Sequence, residues 1–152
     1  RASDLRAEAE IRPRDAARVH ARALELREAI YRVFSAVAAG EPANSADVAW
    51  LDAEVREAQR RRRLVAEGDG VGWAWVEEGD PLEGILRPVA WSAAELLTSD
   101  AVSRVKECSN DHCNWLFVDV SRNRSRRWCD MKDCGNRAKA RRHYARQRAH
   151  VE

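Results

Sequence analysis

The sequence predicts an α+β fold: a mainly helical N-terminal region carrying one β-hairpin, then a small C-terminal module built on cysteines. Three observations predict it. Apolar residues recur at helical spacing in three stretches of the first hundred residues. Between the second and third stretch, the turn Gly68-Asp69-Gly70 separates two strand-like runs. All four cysteines fall in the last third, as Cys108-x4-Cys113 and Cys129-x4-Cys134.

Residues 13–39 predict a long helix, because Pro13 suits a first turn and Asp15 complements the helix dipole. Leu26, Ile30, Val33, Phe34 and Val37 then share one face. Residues 40–45 form a break, in which Asn44 or Ser45 caps a second helix over about 46–62. Val48, Leu51 and Val55 are its inward residues, and the arginine run 60–63 suits its negative end. Residues 64–67 and 71–77 are the strands of the hairpin, with Trp73 and Trp75 on one face. Gly79-Asp80-Pro81 closes it. A third helical stretch, about 82–98, starts or kinks near Pro88 and buries Ala90, Ala93, Ala94 and Leu97.

At 152 residues, the chain is sized for one domain, or one domain with a small appended module. A hydrophobic content of 45% beside 34% charged residues excludes a disordered polyampholyte. No apolar run reaches the ~18–20 residues of a membrane span, and no signal-peptide core is present. Four cysteines without a secretory signal point to a reducing, cytoplasmic setting where thiols bind metal rather than pair. The net charge of +2 conceals an asymmetry: residues 1–100 hold 14 Lys and Arg against 19 acids, residues 101–152 hold 13 against 6.

Two short-spaced cysteine pairs separated by fifteen residues are the arrangement of two turns that each offer two thiolates to one tetrahedral Zn²⁺. Cys108, Cys113, Cys129 and Cys134 complete the shell. The expected zinc is therefore structural, one ion per chain, and His112 in the first loop is left outside it. His20, His143 and His150 have no ligand partner at useful spacing. Trp115 and Trp128 flank the cysteines and are expected to shield the metal from water. Residues 104–108 and 115–119 have strand character around a knuckle at 109–112. A turn at 121–125 follows, and Cys134 opens a helix running to about Gln147. That order is treble-clef-like.

Between Ser121 and Arg148 stand eleven Lys and Arg against two Asp, far more than a zinc–tetrathiolate centre of about −2 needs for neutralisation. The closing helix has a thin apolar side, so most of it faces water or a polyanion. Arg122, Arg124, Arg126 and Arg127 lie along a hairpin edge suited to phosphates. Lys139, Arg142 and Arg146 share a helical face that fits a groove, with Arg141 flanking it. Asn136 and Arg137, near the helix start, are placed to hold loop carbonyls around the zinc knuckle. DNA is the expected partner.

The run Cys108-x4-Cys113-Asn114-Trp115-Leu116-Phe117-Val118-Asp119, with Ser121-Arg122-Asn123 and Arg126-Arg127-Trp128-Cys129, resembles the CGNR zinc finger. The tetrapeptide of that name stands here as Cys134-Gly135-Asn136-Arg137. Such fingers follow an α/β region called the ABATE domain, regarded as a stress-induced transcription regulator of bacteria. Leu24-x-Leu26-Arg27-Glu28-Ala29-Ile30 and the run opening Arg87-Pro88-Val89-Ala90 look like parts of it. The resemblance implies zinc binding, a DNA-binding regulator without enzyme activity, and a division into residues 1–100 and 101–152. Family members usually begin with a strand-like segment containing an Asn-Thr pair, which is not seen here, so the N-terminus is expected to be truncated.

Two further expectations concern partners. Trp50, Trp73, Trp75 and Trp91 are candidates to line a pocket for a small-molecule effector in the N-terminal region, although aromatic residues at such spacing are commonly core. Homo-oligomerisation is compatible with the sequence. No Ser/His/Asp constellation, phosphate-binding glycine loop or H-E-x-x-H stands out, and Glu77-Glu78 reads as solvating charge in a turn. The alternative reading is a zinc-stabilised module that docks on an acidic protein and has no nucleic-acid role.

Overall fold

The computed structural model describes residues 2–76 and 79–149. Glu77, Glu78 and His150, singled out above, lie outside the described residues. The elements run α1 Ala2–Ile11, α2 Pro13–Ala39, α3 Ser45–Arg60, β1 Arg62–Glu67, β2 Gly70–Trp75, α4 Pro81–Gly84, α5 Arg87–Leu97. A 3₁₀ turn at Asp100–Arg104 then leads to β3 Val105–Glu107, β4 Leu116–Val118, a π turn at Met131–Gly135, and α6 Asn136–Ala149. The chain is α+β. It divides into two compact units, residues 1–33 with 43–99, and residues 34–42 with 100–152.

The first unit buries Val19, Leu26, Ala29 and Val33 of α2, Leu51 and Ala58 of α3, Leu82, Leu86, and Ala90 and Ala93 of α5. Helices α3 and α5 pack on each other. Asn44 is the cap of α3, its side chain accepting from the Ala46 N–H at 2.8 Å. The inward stripe of α3 differs from the expected one: Val48 is 46% exposed, and the buried positions are Leu51, Glu54 and Ala58. Glu54 tolerates burial because Arg22 grips both its oxygens, at 2.7 and 3.0 Å. That ion pair draws the stripe one step round the helix.

Strands β1 and β2 pair antiparallel with Leu64 opposite Trp73 and Glu67 opposite Gly70. Gly68 has φ of 57° in the two-residue turn, a conformation an L side chain resists. The predicted 82–98 helix is two pieces, α4 and α5, with Asp80 capping α4 at the Leu82 N–H and Pro88 in the first turn of α5. Asp80 also accepts from Arg12 at 2.7 and 3.2 Å, and that guanidinium holds its carboxyl below the usual carboxylate range.

Three of the four tryptophans, Trp73, Trp75 and Trp91, gather around one side chain, and Trp50 is half-buried. Arg62 turns inward from the arginine run, and its guanidinium lies 4.7 Å from the Trp73 ring, 5.3 Å from Trp75 and 4.1 Å from Trp91. Cation–π attraction and a 12% exposed side chain make this arginine part of the packing. Arg60 and Arg61 pair with Glu57, so three of the four arginines are used within the first unit.

In the second unit β3 pairs antiparallel with β4, Val105 opposite Val118 and Glu107 opposite Leu116. Among the described residues its buried apolar side chains are Phe34, Val105, Cys108 and Cys134. Beside them sit two buried polar residues, Asn110 and Asp119. Such a small apolar set cannot hold a unit of this length by burial alone.

Candidate metal centre and its basic surroundings

The four cysteines converge. Their Sγ atoms all lie within 4.8 Å of one another, with Cys113–Cys129 and Cys129–Cys134 both at 3.7 Å. Four sulfurs about 2.3 Å from a tetrahedral zinc ion stand ~3.8 Å apart, so the donors fit that ion. A disulfide, at ~2.05 Å, does not describe them; all four are free thiols. His112 is exposed and is not part of the cluster.

Backbone geometry sets each ligand. Cys108 leaves β3 with its N–H bonded to Trp115 O at 2.9 Å, and Cys113 N–H returns to Asn110 O at 2.8 Å, closing the first knuckle. Ser109 N–H donates to Arg127 O at 2.8 Å, tying that knuckle to the segment leading to Cys129. Cys134 lies in the π turn that precedes α6 rather than in the first turn of the helix. The Asp130 side chain caps that turn by accepting from the N–H groups of Lys132 and Asp133. Gly135 leaves room there for the Met131 side chain, whose Sδ a Cβ would approach to 3.0 Å.

The sulfurs are electrostatically unequal. Burial raises the Cys108 thiol, but N–H donors led by Cys129 and Asn110 outweigh it and leave the thiol below its ordinary range. Burial pushes Cys129 up to about 12, and its three sulfur neighbours add to the effect. Four thiolates this close are stable together only around a cation. Zinc supplies that charge and, with its shell closed by sulfur, serves structure rather than chemistry.

A second layer fixes the ligands, and two of its members were not singled out from the sequence. Asn110, 2% exposed, donates from Nδ2 to Cys134 Sγ at 3.4 Å and accepts at Oδ1 from Arg141 Nη1 at 2.8 Å. Asp119, with no exposed surface, accepts from Lys106 Nζ at 2.7 Å, from Ser121 N and Oγ at 3.0 and 2.6 Å, and from Arg126 N at 3.0 Å. Lys106 first, then Ser121, hold its carboxyl far below the usual range. The signal in the sequence is Asp119-x-Ser121, an Asx-turn pattern directly after a strand.

The expected site residues separate on this frame. Arg122 and Arg124 are exposed on the turn after Asp119, with Arg124 at φ of 48°. Arg126 is committed inward: Nε donates to Trp128 O at 2.8 Å, Nη2 to Cys129 O, and the guanidinium stacks 4.9 Å from Phe117. Arg127 faces the Trp128 ring at 5.4 Å. Lys139, Arg142 and Arg146 are exposed along α6, and Arg141 is held by Asn110. Asn136 Nδ2 donates to Lys132 O at 2.9 Å, and Arg137 pairs with Asp133 at 2.9 Å, both bracing the turn that carries Cys134.

Trp115 corrects one expectation. The residue is 73% exposed and does not shield the sulfurs; its contribution is the carbonyl that accepts from Cys108. Trp128 is half-buried, with Arg127 on its ring and Arg142 6.0 Å away.

Comparison with known families agrees with this geometry. Residues 104–147 match the family described as "CGNR zinc finger", and residues 1–100 match ABATE, described as "Putative stress-induced transcription regulator". A search of curated proteins finds no match. Among the described residues no helix is long and apolar enough to cross a membrane. With two thirds of its length matched by one family model and its four sulfurs gathered as the second requires, the chain belongs to the ABATE family and carries a CGNR zinc finger whose zinc site is Cys108, Cys113, Cys129 and Cys134.

Proposed function

We propose that the chain is a cytoplasmic DNA-binding transcription regulator, with residues 1–100 as its regulatory region and residues 101–152 as its DNA-holding module. The observation that carries this reading is α6. Of its described side chains only Ala138 is even half-buried, and it bears six Lys and Arg and no acid. Arg137 and Arg141 have acidic neighbours, at 2.9 and 3.9 Å; Lys139, Arg142, Arg146 and Arg148 form no ion pair among the described residues. A helix polar on every side, presented on a metal-braced frame, suits a polyanion.

Phosphate contacts are assigned to Arg122, Arg124, Lys139, Arg142 and Arg146, with Arg127 and Arg141 beside them and Arg126 contributing mainly through the loop it holds. Five such contacts give a slope of log K against log salt of about −4.5, a loss of about 500-fold between 50 and 200 mM salt. The test is binding of the zinc-loaded chain to genomic fragments across that range. An Arg142→Ala, Arg146→Ala double variant should flatten the slope by about two units. Salt-insensitive binding, or none at low salt, would refute the reading.

The regulatory region is proposed to respond to a small-molecule effector or to mediate association between copies. Support for an effector is a cavity of about 450 Å³ within the first unit, lined in part by Trp75, Asp80, Arg87 and Pro88.

A further inference from the structure

We propose that the zinc module contains a discrete seat for one phosphate ester, separate in kind from the diffuse positive charge of α6. A concave pocket of about 170 Å³ is lined by Ser109, Arg127, Trp128, Ala138, Arg141 and Arg142. Its volume is several times the ~30 Å³ share of a water molecule, so it has room for an oxyanion. Three arginines and one serine line it, and no acidic residue does.

The donors are held in place yet left underused. Arg127 rests on the Trp128 ring at 5.4 Å, and its guanidinium makes no hydrogen bond or ion pair among the described residues. Arg142 spends Nε on Ala138 O at 3.3 Å, which leaves its terminal N–H groups. Arg141 is anchored by Asn110 at 2.8 Å, and its acidic neighbour Asp111, at 3.9 Å, has a side chain 83% exposed. Ser109 uses its backbone N–H on Arg127 O, and its hydroxyl has no partner among the described residues. Three like charges around one space repel unless an anion enters. A tetrahedral phosphate accepts forks from several directions at once, and the indole wall accommodates the substituent an ester carries. The source is a nucleic-acid strand or a free phosphate ester such as a nucleotide; the strand deepens, and for its part rests on, the DNA reading above.

The experiment compares the zinc-loaded full chain with three double variants: Arg127→Ala with Arg142→Ala, Arg127→Lys with Arg142→Lys, and the charge-matched Arg122→Ala with Arg146→Ala. Zinc content and far-ultraviolet circular dichroism check each fold. The probes are inorganic phosphate, a nucleoside monophosphate, a single-stranded oligonucleotide and its duplex, all at one salt concentration. The expected result is an affinity loss of about 30-fold for the pocket alanine pair and about tenfold for the lysine pair, which keeps charge but lacks the fork. The charge-matched pair should lose only a few-fold. Equal losses for the two alanine pairs would overturn the seat and leave the DNA reading standing. Binding of phosphate or nucleotide, but of no strand, lost in the pocket pair, would support the seat and remove the strand as its source. No binding of any probe would overturn it.

Discussion

Replacing Asn110 by alanine is expected to weaken zinc retention by about 10- to 100-fold. The side chain is 2% exposed and spans from Cys134 Sγ, 3.4 Å from Nδ2, to Arg141 Nη1, 2.8 Å from Oδ1. A hydrogen bond to an ionised acceptor contributes about 1.5–3 kcal/mol, and about 1.4 kcal/mol is tenfold in an equilibrium constant. Truncation removes the donor from a buried thiolate and frees Arg141, which otherwise offsets part of the sulfur charge. Asn110→Asp sharpens the argument. It retains an acceptor for Arg141 but replaces the donor with a carboxylate beside a centre of about −2, so it should lose more zinc than the alanine variant. Chelator competition at neutral pH with a colorimetric indicator measures both. If the two variants hold zinc as tightly as the parent, hydrogen bonding to sulfur does not set the Cys134 ligand, and the backbone alone does so.

Leu26→Ala, at a position 1% exposed, should cost about 3 kcal/mol in the first unit, within the ~2–5 kcal/mol range for a core leucine, read from denaturant unfolding of zinc-loaded protein. Chelation should unfold α6 and the β3–β4 region while leaving the first unit folded, because that unit has its own apolar core; hydrogen exchange resolves the two. Acid should weaken both units. Asp80 and Asp119 have depressed carboxyl pKa values, so their stabilisation is present above the unfolded value of ~3.9 and is lost as pH falls through the lower folded values. Thermal melts should therefore stay level from pH 6 to about pH 5 and fall progressively below that.

Much of this was legible in the residues. Local rules suffice where one signal dominates: Pro13 opens α2, Asn44 caps α3, and Gly68 turns the hairpin. The cysteine spacing likewise foretold four sulfurs in one place. Periodicity failed where a tertiary pair outweighed hydrophobicity, as on α3, whose Glu54 is buried because an arginine from another helix meets it. Adjacency to the cysteines misled at Trp115, where the backbone carbonyl rather than the ring is used. Asn110, Lys106 and Asp119 stayed hidden because their partners are brought together only by the folded knuckle. Asn110 alone joins residues 24 and 31 positions away.

Helix α6 is a poor helix by its own means. It has 14 residues, about the length at which isolated helices are marginal, and it buries no residue among those described. Arg137 with Arg141 and Arg142 with Arg146 place like charges four apart, each costing a few tenths of a kcal/mol. What orders it is the π turn that precedes it: the Asp130 cap, Cys134 fixed among the other sulfurs, and the braces from Asn136 and Arg137 back to that turn. Nucleation is the costly step of helix formation, and the metal-bound turn supplies it. A polyanion along the helix removes the remaining obstacle, the mutual repulsion of its arginines. Zinc at one end and, on the proposed DNA reading, phosphate along the length would favour the same conformation, so each should bind more tightly in the presence of the other.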